Sequence, residues 1–130
     1  MPAFSGARAR ELPIDQCALG PRLPGSSGNR PLGEMIMDLA RKQGFKAHTL
    51  CFQATDPMSG ESVEVCNIVV SAGPEGGQRL WLGAHYDTRP VSDLDADPEL
   101  RSTPLVGAND GASGVAVLLH LVEILGANPT

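Results

Sequence analysis

The stretch from Asp110 to Leu125 constrains the fold most, because the helix that its spacing predicts is apolar on nearly every side. Its apolar members are Val115, Ala116, Leu118, Leu119, Leu121, Val122, Ile124 and Leu125. A helix of this kind must be buried on more than one side, so other layers of structure have to surround it. Aromatic residues make up only 4% of the chain, which leaves aliphatic side chains to build the core. We therefore predict an α/β fold, with a sheet flanked by helices, rather than an all-β sandwich.

Before this stretch, the spacing of the apolar residues is first typical of helices and then of strands. Phe4 to Leu19 has weak helical character, and Pro31 to Gly44 carries an amphipathic i, i+3, i+4, i+7 stripe that ends at a capping glycine. Lys46–Thr55 and Ser62–Ser71 alternate as an antiparallel hairpin, and the apolar run Arg79–His85 is typical of a strand covered on both faces. Residues 87–109 then form a long loop before the final helix.

The bulk properties favour one domain of 130 residues, of which 42% are hydrophobic. We divide it into a helical leader and loop over 1–28 and a core over 29–130 with the order helix, two strands, strand, loop, helix. The Pro- and Gly-rich segment 22–28 could alternatively be an inter-domain linker. A net charge of −5 and scattered basic residues exclude a general attraction to nucleic acid or anionic membrane. The apolar runs are too short for a signal peptide or a membrane span, and the compartment stays unknown.

The three cysteines, Cys17, Cys51 and Cys66, are too few for a zinc ribbon or a disulfide framework. Cys51 and Cys66 lie on neighbouring predicted strands and could pair in an oxidising compartment. We expect instead that each is a free, buried thiol.

His85, Asp87 and Asp110 are the candidate site residues. Residues two apart in an extended segment face the same side, so Asp87 can hold one ring nitrogen of His85 and leave the other free for a metal. Small residues on both sides of Asp110, in the run Gly107-Ala108-Asn109-Asp110-Gly111, allow a close approach that aims its carboxylate inward. Asn109 or Asp110 could alternatively only cap the helix. Carboxylate and imidazole are ligands suited to zinc.

The remaining polar candidates are expected to be structural or solvated. His48 is predicted to lie on the surface, and His120 to be a packed or hydrogen-bonded residue of the last helix. The acidic loop residues lack the pattern of a calcium loop. We expect solvated charges at Glu34, Glu61, Glu64 and Glu123. The chain has neither the Gly-x-Ser-x-Gly of serine hydrolases nor a phosphate-binding loop.

Several motifs resemble, in order and spacing, the family of zinc-dependent aminopeptidases and glutaminyl-peptide cyclotransferases. They are Gly20-Pro21-Arg22-Leu23-Pro24-Gly25-Ser26, Asn67-Ile68-Val69, Gly83-Ala84-His85-Tyr86-Asp87-Thr88-Arg89-Pro90 and Gly107-Ala108-Asn109-Asp110-Gly111-Ala112-Ser113-Gly114-Val115. The first motif, and the Arg-Pro with its acidic loop, look closest to the glutaminyl-cyclase-like branch. The resemblance implies a mixed sheet flanked by helices in a three-layer sandwich.

The resemblance also implies roles for the candidate residues. His85 matches a zinc ligand, Asp87 the residue that orients it, and Asp110 a carboxylate that bridges two zinc ions in aminopeptidases or binds one in cyclases. The substrate would be a peptide or protein N-terminus. In the cyclase chemistry the α-amine of an N-terminal glutamine attacks its own γ-amide and expels ammonia; in the aminopeptidase chemistry a zinc-bound water attacks a peptide bond.

The sequence departs from the family pattern at two places. His120 stands where family members usually carry an acidic residue, and the family's catalytic Glu, other acidic residues and final His ligand would lie beyond Thr130. We therefore expect the chain to be the N-terminal part of the enzyme, incomplete at its C-terminus, with weak or absent zinc binding and no activity of its own. The alternative of another class is a non-catalytic fragment that binds a partner. Exposed apolar surface would then favour self-association.

Overall fold

The computed structural model describes residues 3–73 and 76–127, within which three α-helices and one β-hairpin are present. The elements are α1 (Gly6–Cys17), α2 (Asn29–Lys42), β1 (Lys46–Thr55), β2 (Ser62–Ser71) and α3 (Ala112–Gly126), with a short 3-10 helix at Pro98–Leu100. The two predicted early helices, the hairpin and the final helix are confirmed. The sequence Gly73-Pro74-Glu75-Gly76-Gly77 after the hairpin predicts a turn, but residues 74 and 75 lie outside the described residues.

Local sequence accounts for the ends of the two early helices. The Ser5 side chain accepts a hydrogen bond from the backbone N–H of Arg8 at 3.2 Å, which caps the start of α1. After α2, Gly44 adopts a positive φ of 82°, which permits the chain to reverse into β1. The predicted apolar stripe of α2 faces inward, with Leu32, Ile36 and Ala40 buried. The amphipathic period therefore placed this helix correctly.

The hairpin pairs β1 and β2 in one antiparallel register, from Lys46 opposite Ser71 to Thr55 opposite Ser62. Its turn is stabilised by Asp56, whose carboxylate accepts hydrogen bonds from the Met58 N–H at 3.0 Å and the Ser59 hydroxyl at 2.7 Å. These hydrogen bonds lower the pKa of the Asp56 carboxyl below its ordinary value.

Cys51 and Cys66 are joined by a disulfide, so the expectation of free, buried thiols was wrong. The register places the two residues directly opposite each other with Cα atoms 4.0 Å apart, where facing side chains are in contact. Cys51 is exposed and Cys66 is half-buried. Cys17 is a free cysteine of the described residues.

The core lies where the three helices meet, with β2 packed against it through Ile68. Its buried members are Leu12, Leu32, Ile36, Val115, Ala116 and Leu119. α3 packs on α1 and α2, yet Val117 and Leu125 on its other side are 43% and 51% exposed. The expectation that α3 is buried on more than one side is thus wrong for that part of its surface. Among the described helices, none is both long and apolar enough to cross a bilayer.

The predicted strand over Arg79–His85 is not formed: residues 78–89 have no assigned strand. Leu80 and Trp81 are 86% and 77% exposed, contrary to the expected burial on both faces. A run of apolar residues indicates that a segment can be buried, but a β-strand also needs a neighbouring strand with which it forms hydrogen bonds. Within the described part of the chain, the hairpin strands pair only with each other.

Candidate metal centre

His85, Asp87 and Asp110 come together at the end of the extended segment that leads towards α3. The Nε2 atom of His85 lies 3.0 Å from Asp110 Oδ1, and its Nδ1 atom lies 3.4 Å from Asp87 Oδ1. The two aspartates therefore approach opposite nitrogens of one imidazole ring. This is the arrangement that the His-x-Asp spacing and the glycine-rich turn predict, although the role of these residues as ligands stays a prediction.

The turn before α3 approaches His85 closely because Gly111 has no side chain. A Cβ atom at Gly111 would lie 2.9 Å from the Asp87 carbonyl oxygen and 3.2 Å from His85 Cε1. Gly111 also has a φ of 87°, which side chains rarely tolerate. The glycine after Asp110 is thus required both by the backbone conformation and by the space beside His85.

The Asp110 carboxylate is not used to cap α3. The N-cap residue is Gly111, and the cap has no side-chain hydrogen bond. Ser113 instead donates its hydroxyl to the Asn109 carbonyl at 2.6 Å. Of the two alternatives left open by the sequence, the structure favours a carboxylate directed at His85 over a helix cap.

The donor set fits a divalent metal as a partial ligand shell. Two ligand atoms bound at about 2 Å to a tetrahedral ion lie roughly 3.3 Å apart, and the 3.0 Å between His85 Nε2 and Asp110 Oδ1 is close to that spacing. Asp87, on the other ring nitrogen, is placed to orient the imidazole. The side chains of His85, Asp87 and Asp110 are 56%, 46% and 60% exposed, so the site is an open rim and not the buried strand end that we expected.

A second group of potential ligand atoms comes from Cys51, Glu64 and Cys66, which lie within 4.8 Å of one another. The two sulfur atoms form the disulfide and so provide no thiolate. Proximity alone therefore does not make this group a metal site.

Tyr86 connects the site segment to the hairpin. Its hydroxyl donates a hydrogen bond of 2.7 Å to the Cys66 carbonyl, while His85 and Asp87 flank it on either side. Burial raises the pKa of the Tyr86 hydroxyl, and the charge of Asp87 acts in the same direction. A groove of ≈ 400 Å³ is lined by residues of β2 and α3 and also by His85 and Asp87.

Arg22 is a residue of the site's support that sequence reasoning missed. Its side chain is fully buried, and its backbone N–H donates to the Thr88 hydroxyl at 2.8 Å. The Thr88 N–H returns a hydrogen bond to the Arg22 carbonyl at 3.3 Å. The only sequence signal was its place in the Gly-Pro-Arg motif, because an arginine in a polar loop is usually solvated.

His120 and Glu123 belong to a separate network between α1 and α3. His120 is buried, accepts the Ser5 N–H at Nε2 and has Nδ1 3.0 Å from Glu123, which confirms it as a hydrogen-bonded structural residue. The prediction that Glu123 is a solvated charge is wrong, since Arg8 donates to it at 2.6 Å. That hydrogen bond, with a contribution from His120, holds the pKa of the Glu123 carboxyl below its ordinary value.

Comparison with known proteins supports the resemblance seen in the motifs. Residues 67–130 match the model of Peptidase family M28. A glutaminyl-peptide cyclotransferase-like protein of Mus musculus is 32% identical over 108 residues, which cover 82% of this chain and 26% of that protein.

Solved structures resemble the fold over almost the whole chain. A Zn-dependent exopeptidase from Parabacteroides distasonis has a TM-score of 0.90 at 35% identity, covering 98% of this chain and 43% of that one. A Bacteroides thetaiotaomicron glutaminyl cyclase, solved with N-acetylhistamine, has a TM-score of 0.90 at 33% identity with the same coverage. The chain spans less than half the length of these relatives. The predicted α/β, zinc-exopeptidase-like fold is confirmed, and the chain is similar to zinc-dependent exopeptidases and glutaminyl cyclases, with residues 67–130 matching Peptidase family M28.

Proposed function

We propose that this chain provides part of the metal centre of a zinc enzyme that modifies peptide N-termini, with His85 and Asp110 as zinc ligands. The observation that carries the proposal is the 3.0 Å approach of His85 Nε2 to Asp110 Oδ1, with Asp87 on the other ring nitrogen. An imidazole and a carboxylate that converge in this way are two of the three protein ligands usual for a catalytic zinc.

The residues of this chain have distinct tasks in the proposed site. Asp87, at 3.4 Å, is placed to accept a hydrogen bond from the Nδ1–H of His85 and so fixes the tautomer whose Nε2 lone pair is free to bind. Asp110 supplies negative charge that offsets part of the charge of the cation. A bound zinc ion would polarise a carbonyl of the substrate as a Lewis acid.

We propose glutaminyl-peptide cyclotransferase activity, the conversion of an N-terminal glutamine to pyroglutamate with release of ammonia. The Gly-Pro-Arg-x-Pro-Gly-Ser motif at 20–26 and the Arg-Pro that follows Thr88 support it. Relatives named as a cyclotransferase-like protein and as glutaminyl cyclase also support it. The second candidate is aminopeptidase hydrolysis, which the similarity to a Zn-dependent exopeptidase favours.

The 130-residue chain alone should bind zinc weakly, because His85 and Asp110 are one ligand short of the usual three. Isothermal titration with zinc should give a weak signal that His85→Ala or Asp110→Asn abolishes. His48→Ala is the matched control, since His48 is an exposed histidine of β1 outside the site. Equal zinc affinity in the wild-type and His85→Ala chains would refute the assignment of ligands.

Activity is tested on the product of the full reading frame that contains these residues, with the 130-residue chain in parallel. We expect ammonia release from a peptide with N-terminal glutamine, lost after treatment with a chelator and restored by zinc. Release of the chromophore from an aminoacyl amide, without cyclization, would instead favour the aminopeptidase. Turnover that persists after chelation would refute the zinc assignment, and no turnover in either assay would favour the non-catalytic alternative.

A further inference from the structure

Arg22 binds four backbone carbonyl groups, from three regions of the chain, through its buried guanidinium group. Nε donates to the Tyr86 carbonyl at 3.4 Å and Nη2 to the Gly107 carbonyl at 3.1 Å. Nη1 donates to the Gln16 and Gly20 carbonyls at 3.3 and 3.2 Å. Four of the five N–H donors of the guanidinium therefore have partners.

Two of these partners belong to the segments that carry the candidate ligands. Tyr86 lies between His85 and Asp87, and Gly107 begins the turn that ends at Asp110. They lie 64 and 85 residues from Arg22 along the chain, so this contact is purely tertiary. One rigid planar group thereby fixes the backbone on both sides of the His85–Asp110 contact.

The surroundings of Arg22 leave little freedom for this arrangement. A Cβ atom at Gly107 would lie 2.8 Å from Thr88 Cγ2 and 3.4 Å from Arg22 Nη2. The Asn29 side chain donates to the Arg22 carbonyl at 3.0 Å, in addition to the paired backbone and hydroxyl contacts with Thr88. Burying a cation costs free energy unless its N–H donors form hydrogen bonds. The guanidinium of Arg22 therefore has to stay bonded to these carbonyl groups.

We propose that Arg22 is the positioning residue of the candidate metal centre, which sets the distance between His85 and Asp110. This inference rests on the proposed function for its biological meaning, but the geometry that it concerns exists without metal. Lysine at this position keeps a charge but lacks the planar fork, so it cannot hold the carbonyls of Tyr86 and Gly107 together.

The test compares Arg22→Lys with Leu32→Ala, a control that damages the buried core on α2 but removes none of the hydrogen bonds of the Arg22 guanidinium. In the metal-free chain, NMR measures how far Asp110→Asn shifts the His85 ring resonances. We expect this shift to be less than half as large in the Arg22→Lys background and unchanged in the Leu32→Ala background. An equal shift in the Arg22→Lys background, or an equal loss in both backgrounds, would overturn the proposal.

Zinc titration provides the second readout, with an expected weakening of about 10- to 100-fold in Arg22→Lys. If the wild-type chain shows no zinc binding that depends on His85, the proposed function fails. The NMR comparison in the metal-free chain still tests whether Arg22 positions His85 relative to Asp110. If Arg22→Lys does not fold, Thr88→Val is tested in its place. This variant removes the hydroxyl that accepts a hydrogen bond from the backbone N–H of Arg22, and Thr88→Ser restores that hydroxyl. If Asp110→Asn shifts the His85 ring resonances as much in the Thr88→Val background as in the wild type, the proposal would be overturned.

Discussion

Replacing Glu123 with glutamine should destabilise the packing of α1 on α3. The Glu123 side chain is 21% exposed, and its carboxylate receives hydrogen bonds from the Arg8 Nε at 3.2 Å and Nη2 at 2.6 Å. His120 contacts the other side at 3.0 Å; because its Nε2 accepts the Ser5 N–H, we infer that Nδ1 donates to Glu123. Removing this charge weakens the contacts on both sides at once.

The magnitude follows from the burial of the pair. A hydrogen bond to a charged group contributes about 1.5–3 kcal/mol, whereas an exposed ion pair contributes about 0.2–1 kcal/mol. The Arg8 side chain is 38% exposed, so solvent screening lowers the first figure. We therefore expect Glu123→Gln to lower the free energy of unfolding by about 1–2 kcal/mol at neutral pH.

Glu11 offers a matched control on the same arginine. It lies 3.1 Å from Arg8 Nη1 on an exposed i, i+3 pair of α1, and its side chain is 64% exposed. Glu11→Gln should cost only about 0–0.5 kcal/mol. Urea denaturation followed by circular dichroism measures both variants, and an equal loss in the two would refute the argument from burial.

The same measurement has a defined dependence on pH. The pKa of Glu123 is lower in the folded chain than its ordinary value of 4.5, chiefly because Arg8 donates to the carboxylate. Its contribution is therefore fully present above pH 4.5 and is lost as the pH falls through the lower, folded pKa. The difference in stability between wild type and Glu123→Gln should shrink over that acidic range. A difference that grows on acidification would contradict the assignment.

Two further predictions concern the site and the hairpin. Gly111→Ala should lower the free energy of unfolding by on the order of 1–3 kcal/mol, because alanine is strained at the positive φ of this residue. The close contacts of the new Cβ atom with Asp87 and His85 should add to this loss. Chemical denaturation against Gly6→Ala, where a Cβ atom meets open space, measures the difference. Reduction of the Cys51–Cys66 disulfide, which spans 15 residues, should cost about 3 kcal/mol, measured by denaturation with and without a dithiol. An unchanged midpoint after confirmed reduction would contradict this value.

The sequence predicted the elements whose signals are local. The stripe of Leu32, Ile36 and Ala40 identified α2, and the alternation over Lys46–Thr55 and Ser62–Ser71 gave both hairpin strands with their observed bounds. The run Arg79–His85 failed as a strand because pairing depends on a neighbour elsewhere in the fold. The disulfide was likewise misjudged, since register decides whether two cysteines on adjacent strands face each other.

The sequence predicted which polar side chains form the candidate site, but not the residues that support them. The two-residue spacing of His85 and Asp87 and the small residues around Asp110 suffice to propose that the three converge. Arg22 could not be found in this way, because its hydrogen bonds to Tyr86 and Gly107 span 64 and 85 residues and leave no local pattern. Glu123 was misjudged for the same reason, since Arg8 is 115 residues distant in sequence.

The site combines exposed reactive groups with a buried support. The side chains of His85 and Asp110 are more than half exposed, so packing against them cannot fix their separation. Arg22 is fully buried, and Gly107 and Gly111 bring the backbone within contact distance of the neighbouring segments. Because the hydrogen bonds that hold those segments are buried or partly buried, the support can keep its geometry while the proposed ligands stay open to a metal ion. Changes in the buried support should therefore weaken metal affinity even when the proposed ligands themselves are unchanged.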